Sequence, residues 1–146
     1  MEKTKLSDSY VFDTSALLTL WNDEPGAEAV GNLLRSDSFV YVSFMSCMEG
    51  RYRIWKSAGR PESEEFSKYL DLLPLKRVDI TEPIFEKAIE IKATYSLSVC
   101  DSWIIATAMM TDSVLVHKDP EFAQVKKIVK VKALPYKPLI RQKERK

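Results

Sequence analysis

Short, uninterrupted apolar segments alternate along this chain with segments whose apolar residues recur at helical spacing. Uninterrupted apolar segments of this length are typical of strands covered on both faces. They occur at Ser9–Phe12, Phe39–Ser43 and 114–116, and further strands are predicted at 75–79 and 128–131, which contain charged residues. The alternation predicts an α/β fold, with a central parallel sheet of about five strands, helices on both faces and right-handed crossovers.

Capping residues and prolines indicate where the helices begin. Asn22-Asp23-Glu24-Pro25 is typical of a helix start, and we expect that helix to run to about Leu34. Ser43 or Ser46 is expected to cap a helix that continues to Ser57. Further helices are predicted at 62–73, 81–95 and 101–110. The last of these is nearly all apolar, so it should lie deep in the core.

The composition is that of a single globular domain. The chain has 146 residues, of which 45% are hydrophobic, enough for a core of its own. We expect a domain over 9–135, an N-terminal extension at 1–8 and a basic tail at 136–146. No segment approaches the roughly 18 apolar residues of a membrane span, and no secretory signal is evident. We therefore expect a soluble, cytoplasmic protein with no membrane association.

Charge and cysteine usage narrow the class of site. The net charge is +1, yet nine of the 22 Lys and Arg residues lie in 126–146, beside one of the 21 acids. That basic segment either contacts a polyanion or is a solvated chain end, and both readings stay open. Cys47 and Cys100 form no CxxC motif, and His117 is the one histidine of the chain. This pattern argues against a disulfide framework or a zinc site.

Four acidic residues stand at predicted junctions between elements. Asp13 directly follows the first strand and Asp119 follows the fourth, at the sheet edge where open α/β folds carry their chemistry. Glu49 and Asp101 each follow a serine by three positions, which is the capping-box pattern. Each acid taken alone therefore has an alternative reading as a helix cap or a turn residue.

Taken together, the four acids predict a divalent-metal site. Carboxylates within a few ångströms of one another repel and raise each other's pKa values, so a cation is the usual means of neutralising them. Mg²⁺ suits such a site because it is a hard ion that prefers oxygen ligands and keeps several waters. Mn²⁺ has similar preferences, whereas the lack of a Cys/His set disfavours zinc.

Five stretches of the sequence stand in a recognisable order: YVFDTSALLTL, NDEPGAEAV, VSFMSCMEG, LSVCDSWIIATA and VLVHKDPEF. They resemble the PIN domain family, and within it the VapC-type toxin ribonucleases of prokaryotic toxin–antitoxin pairs. The resemblance covers Tyr10 to about Pro135 and implies a single PIN-like nuclease domain. It also implies an RNA substrate, a homodimer, and a small antitoxin protein that occupies the active-site side.

The same resemblance assigns roles to individual residues. It implies that the catalytic, metal-binding quartet is Asp13, Glu49, Asp101 and Asp119. Ser15 corresponds to the small hydroxyl residue two places after the first acid. One departure is that the family commonly has threonine two residues before the last acid, where this chain has His117.

These assignments predict an endoribonuclease that uses metal-activated water and no protein nucleophile. The family implies products that end in 5′-phosphate and 3′-hydroxyl. Ser15 either orients a metal-bound water or, with Thr14, caps the following helix.

Three cations are candidates for RNA binding. Arg53, Lys56 and Arg60 follow Glu49 by 4, 7 and 11 positions, which would place them on one face of its helix. The alternative is a solvated stripe with a Glu49–Arg53 ion pair.

Two other functions are compatible with the sequence. The acids could serve only as caps in a non-catalytic PIN-like RNA-binding or scaffold protein. Receiver and haloacid-dehalogenase domains also place an aspartate at a strand end and act by phosphoryl transfer. The second of these needs Asp-x-Asp, and here the third position is Ser15.

Overall fold

Five parallel strands form one sheet at the centre of the protein. The computed structural model describes residues 8–135, so residues 1–7 of the expected extension and the expected tail at 136–146 lie outside the described residues. The strands, numbered in chain order, are β1 (Ser9–Phe12), β2 (Phe39–Ser43), β3 (Lys76–Val78), β4 (Val114–His117) and β5 (Val131–Ala133). Their spatial order is β3-β2-β1-β4-β5.

Seven helices connect these strands within residues 8–135. Six are α-helices: α1 (Thr14–Trp21), α2 (Ala27–Arg35), α3 (Phe44–Ala58), α4 (Arg60–Asp71), α5 (Glu82–Thr94) and α6 (Val99–Met110). The seventh is a short 3-10 helix, Pro120–Val125, between β4 and β5. None of the helices in the described part of the chain is long and apolar enough to cross a membrane.

The sheet separates two hydrophobic cores. Val11 and Leu115 belong to the core shared with α5, α6 and the 3-10 helix. Their neighbours Phe12 and Val116 belong to the core shared with α1 to α4. Successive strand residues point to opposite faces, so the unbroken apolar segments are buried on both sides. The prediction of an α/β fold with about five parallel strands between two layers of helices is confirmed.

The strand order brings β1 and β4 together at the centre of the sheet. The chain adds β2 and β3 on one side of β1, then returns to place β4 on the other side. At the carboxyl ends of this pair, the backbone N–H of Asp13 donates to the carbonyl oxygen of Val116 at 3.1 Å. Open α/β sheets bind ligands at such a reversal of strand order.

Two predicted element boundaries are wrong. Asn22–Pro25 does not open a helix: Asn22 ends α1, and α2 begins later at Ala27, after Gly26 with φ of 105°. The final strand begins at Val131 rather than at 128, because Ile128 and Val129 donate backbone hydrogen bonds to Val125 in a turn. Apolar content alone did not distinguish that turn from a strand.

Candidate active site

Asp13 lies directly beyond the carboxyl end of β1 and is 4% exposed. Its Oδ1 accepts hydrogen bonds from Ser15 Oγ at 2.7 Å and from the backbone N–H of Ala16 at 2.9 Å, so it caps α1. Burial raises the pKa of Asp13 to about 7, against the lowering effect of these two donors, and the nearby Asp101 and Asp119 raise it further. A residue that served only as a helix cap would not need to be buried near two other acids, so capping alone does not explain the position of Asp13.

Glu49 projects from the second turn of α3 and does not belong to a capping box. The cap of α3 is Ser43, whose Oγ accepts from the backbone N–H of Met45 at 3.1 Å. The buried Oγ of Ser46 has no hydrogen-bond partner within the described part of the chain. Glu49 Oε1 instead accepts from the Thr14 hydroxyl, and from Cys100 Sγ at 3.3 Å. The capping interpretation of Glu49 is therefore wrong.

Asp101 lies in the first turn of α6, where the capping interpretation is partly right. Its backbone N–H donates to the Oγ of the cap residue Ser98 at 3.0 Å. Burial raises the pKa of Asp101 to about 6, and the adjacent Glu49 and Asp119 contribute to the increase. The backbone N–H of Asp101 thus takes part in the helix cap, while its carboxylate interacts with the other acids.

Asp119 follows β4 and begins the 3-10 helix. Its Oδ1 accepts from the backbone N–H of Glu121 at 2.9 Å. One carboxylate oxygen from each of Asp101, Asp119 and Glu121 lies within 4.8 Å of the other two. Glu121, which is exposed, was not among the residues predicted from the sequence. Its one signal is its position two residues after Asp119, across a proline that turns the chain.

The four acids that the sequence singled out interact with one another, but among the described residues only Asp101 and Asp119 belong, with Glu121, to a group whose carboxylate oxygens lie within 4.8 Å. Asp13 and Glu49 lie outside that group. Asp13 interacts electrostatically with Asp101 and Asp119, and Asp101 also interacts with Glu49. The ligand atoms are carboxylate oxygens, the type that Mg²⁺ and Mn²⁺ prefer. The pKa values of Asp13 and Asp101 are raised chiefly by burial and further by the neighbouring carboxylates, and a bound cation would favour the charged forms. The donor set therefore fits a hard divalent ion.

Ser15, in the first turn of α1, connects Asp13 to the loop that carries Asp119. Its hydroxyl donates to Asp13 Oδ1 and accepts from the backbone N–H of Lys118 at 2.9 Å. Lys118 Nζ in turn lies 3.2 Å from Glu24 Oε1 and is mostly buried. The Ser15 hydroxyl thus joins the start of α1 to the loop after β4, and the ion pair joins that loop to the segment between α1 and α2.

His117, the departure from the family pattern, is a packed residue at the end of β4. It is 3% exposed, and its ring lies edge-on to Phe122 with centroids 5.0 Å apart. Nδ1 accepts from the backbone N–H of Asp119 at 3.2 Å. Burial lowers the pKa of His117, which favours the neutral ring. The imidazole therefore holds the backbone of the last acid rather than adding charge to the cluster.

The three candidate RNA-binding cations do not share one helix. Arg53 and Lys56 are exposed on α3, but Arg60 is the first residue of α4, because Gly59 with φ of 97° ends α3. Arg60 Nε contacts Glu64 Oε2 at 2.9 Å, and its guanidinium lies 5.4 Å from the ring centroid of Trp55. The prediction of a single helical stripe is wrong for Arg60. No ion pair joins Glu49 to Arg53, both of which are described residues.

Solved structures of other proteins share this fold. VapBC2 from Rickettsia felis, bound to a promoter DNA fragment, is similar at a TM-score of 0.72 and 16% identity, covering 87% of this chain and 99% of that one. VapBC from Salmonella typhimurium, bound to DNA, is similar at a TM-score of 0.71 and 17% identity, covering 86% of this chain and 98% of that one. VapC20 from Mycobacterium tuberculosis is described as a sarcin–ricin loop cleaving toxin. It is similar at a TM-score of 0.69 and 16% identity, covering 86% of this chain and 99% of that one.

The sequence itself gives the family assignment. No curated protein matches it. Residues 10–128 match the PIN domain family, and this segment contains Asp13, Glu49, Asp101 and Asp119. The chain belongs to the PIN domain family.

Proposed function

We propose that this protein is a Mg²⁺- or Mn²⁺-dependent endoribonuclease and the toxin of a toxin–antitoxin pair. The observation that supports the proposal is the group formed by Asp101, Asp119 and Glu121, together with the electrostatic interactions of Asp13 and Glu49 with its members. Acids that served only as caps would have no reason to share a half-buried cluster. Repulsion within the cluster costs stability, which is typical of a functional site.

The chemistry divides between the ion and the protein. When bound, a divalent ion lowers the pKa of a water and stabilises negative charge on the phosphodiester that is attacked. The four carboxylates would hold that ion, and the exposed Glu121 lies beside Asp101 and Asp119. Ser15 fixes Asp13 Oδ1 through its hydroxyl; orienting a water would be a further role. No cysteine or serine nucleophile is required, and the products would end in 5′-phosphate and 3′-hydroxyl.

RNA is the proposed substrate class. The M. tuberculosis neighbour is described as cleaving the sarcin–ricin loop, and Arg53 and Lys56 are exposed on the helix that carries Glu49. Cations there would attract the phosphate backbone towards the acids. Arg60 can contribute from the start of α4 if RNA displaces its contact with Glu64.

An antitoxin and a second copy of the chain are the proposed protein partners. Two of the similar structures are described as VapBC assemblies bound to DNA. Large apolar side chains are exposed on α3 and α5, where a protein partner could cover them: Met48, Tyr52, Trp55, Phe85 and Ile89. We propose that the protein acts in the cytoplasm, where its RNA substrate is found.

Cleavage of labelled RNA by purified protein tests the proposed activity. We expect cleavage with Mg²⁺ or Mn²⁺, none with excess EDTA, and a loss of at least about a hundredfold in Asp101→Asn. Asp112→Asn is the matched control, because Asp112 is exposed before β4, at the opposite edge of the sheet. Its activity should equal that of the wild type.

The alternative is a non-catalytic RNA-binding or scaffold protein. It is favoured by the observation that Asp13 and Asp119 are both helix caps. RNA binding without cleavage, unchanged by Asp101→Asn, would support this alternative and contradict the nuclease.

A further inference from the structure

We propose that Thr14 and Cys100 are positioning residues that hold one oxygen of Glu49 and so direct its other oxygen to the metal. This inference rests on the proposed function, because it concerns how the acid cluster binds its ion. The juxtaposition that carries it is a threonine and a cysteine, from two different helices, on a single carboxylate oxygen.

Glu49 needs external support because its own helix provides none for the carboxylate. The side chain has three rotatable bonds and starts in the second turn of α3, whose cap is Ser43. A long side chain in that position can occupy several rotamers. The two hydrogen bonds that limit it come from α1 and α6.

Thr14 is the better placed of the two donors. It directly follows Asp13, is 3% exposed, and donates its hydroxyl to Glu49 Oε1. A β-branched side chain has few χ1 rotamers, so a buried threonine is a rigid donor. Its position fixes the second acid of the cluster relative to the backbone that carries the first.

Cys100 provides the second hydrogen bond from the opposite side. It directly precedes Asp101, and its Sγ lies 3.3 Å from Glu49 Oε1 and 3.8 Å from the carbonyl oxygen of Met45. A thiol can donate to either oxygen, whereas a thiolate could donate to neither.

Both contacts fall on Oε1, and within residues 8–135 Oε2 of Glu49 accepts no hydrogen bond. Oε2 is therefore the oxygen that remains available for an ion. Groups that orient metal ligands typically change metal affinity by about 10- to 100-fold when they are removed. Loss of the Thr14 hydroxyl should therefore weaken ion binding while leaving the fold intact.

Calorimetric titration with Mn²⁺ alone tests this inference on the full-length protein. We expect Thr14→Val to weaken Mn²⁺ binding by about tenfold, and Thr14→Ser, which keeps the hydroxyl, to restore it to within about twofold of the wild type. Thr107→Val is the matched control. Thr107 is equally buried, but its hydroxyl donates to the backbone of Trp103 within α6. Its Mn²⁺ affinity should be that of the wild type.

A second pair of variants keeps the test decisive if Thr14→Val does not fold. Cys100→Ala should weaken Mn²⁺ binding by several-fold, and Cys100→Ser, which retains a donor, should weaken it less. In RNA cleavage, these variants should need more Mn²⁺ but recover near wild-type rates at saturation. A role confined to folding would not raise the Mn²⁺ requirement while leaving the rate at saturating Mn²⁺ unchanged.

The outcomes separate this inference from the proposed function. Mn²⁺ affinities of Thr14→Val and Cys100→Ala within twofold of the wild type would overturn the positioning role, whether or not the protein cleaves RNA. Weakened binding in a protein that never cleaves RNA would support the positioning role and contradict the nuclease. A wild-type protein that binds no Mn²⁺ would overturn both.

Discussion

Asp13 performs two tasks at the scale of a single residue. Its Oδ1 caps α1 through the N–H of Ala16, and its burial beside Asp101 and Asp119 makes it part of the acid cluster. The cap favours a charged carboxylate, whereas burial and the other acids disfavour it. The raised pKa shows that burial and repulsion outweigh the cap.

Without metal, the free energy of unfolding should fall as the pH rises from about 4 to 7. The pKa of Asp13 rises from 3.8 to about 7 on folding, so over this range the folded state holds a proton that the unfolded state has lost. Stability that is present below pH 4 is therefore lost as the pH passes through 7. Asp101, with a pKa of about 6, acts in the same direction.

Denaturant unfolding in EDTA at pH 5 and pH 8 measures this effect. Asp13→Asn removes the charge but keeps an oxygen that can accept from Ser15 and Ala16. It should be more stable than the wild type at pH 8, by up to about 4 kcal/mol if the whole shift is recovered. Added Mg²⁺ should stabilise the wild type only. A pH dependence that is identical in wild type and variant would contradict the buried charge.

The site residues that could be predicted from the sequence are marked by a local pattern, and those that could not are marked only by contacts in the folded chain. Asp13 and Asp119 follow apolar strands, and strand ends are readable from the pattern. Thr14 and Cys100 act on Glu49 through contacts between helices that are far apart in the chain. No spacing within one element marks such contacts.

At the scale of elements, the candidate site is built from helix beginnings at one edge of the sheet. α1, α6 and the 3-10 helix each begin at or next to a clustered acid. Glu49 depends on a different feature, the packing of α3 against α4. Gly50, the residue after Glu49, packs closely against Phe66 of α4. A Cβ at position 50 would lie 2.8 Å from Cε2 of Phe66.

Gly50→Ala should therefore destabilise the protein, although alanine is the better helix former. Phe66 is fully buried and cannot move without disturbing its core, so overpacking should cost about 1–3 kcal/mol. In Gly31→Ala, the new methyl group meets only the flexible Arg35 guanidinium, at 3.2 Å. That control should be neutral or stabilising by up to about 1 kcal/mol. Equal unfolding free energies in the two variants would contradict the close packing.

Element boundaries were predictable where a strong local signal coincided with burial. Ser9–Phe12 and Phe39–Ser43 are strands with the predicted bounds. Arg60 was placed on the face of α3 by its spacing from Glu49, although that helix was expected to end at Ser57; the positive φ of Gly59 ends α3 before Arg60. The last strand is three residues long, too short for its pattern to differ from that of the preceding turn.

At the scale of the whole molecule, the fold places acids at one sheet edge and exposed cations beside them on α3. If RNA approaches over α3, the Arg53→Gln/Lys56→Gln double variant should bind it several-fold more weakly. The slope of log affinity against log salt should fall by about 1–2. Lys127→Gln/Lys130→Gln is the control, because these exposed lysines lie beside the amino end of β4. An equal effect in both double variants would contradict a localised RNA path.

The convergence of the acids depends on topology. Strand order could not be read from the sequence pattern, yet any parallel sheet with Asp13 and Asp119 on neighbouring strands brings them to one edge. Burial of Glu49 and Asp101 beside them follows from how α3 and α6 pack, which only the folded chain determines.

Anomalous scattering from crystals of the metal-loaded protein would locate Mn²⁺ and so decide whether the acids bind it. We expect a peak coordinated by at least two of Asp13, Glu49, Asp101 and Asp119, at the junction of β1 and β4. A peak elsewhere, or none there in crystals of protein that binds Mn²⁺ in solution, would contradict this expectation.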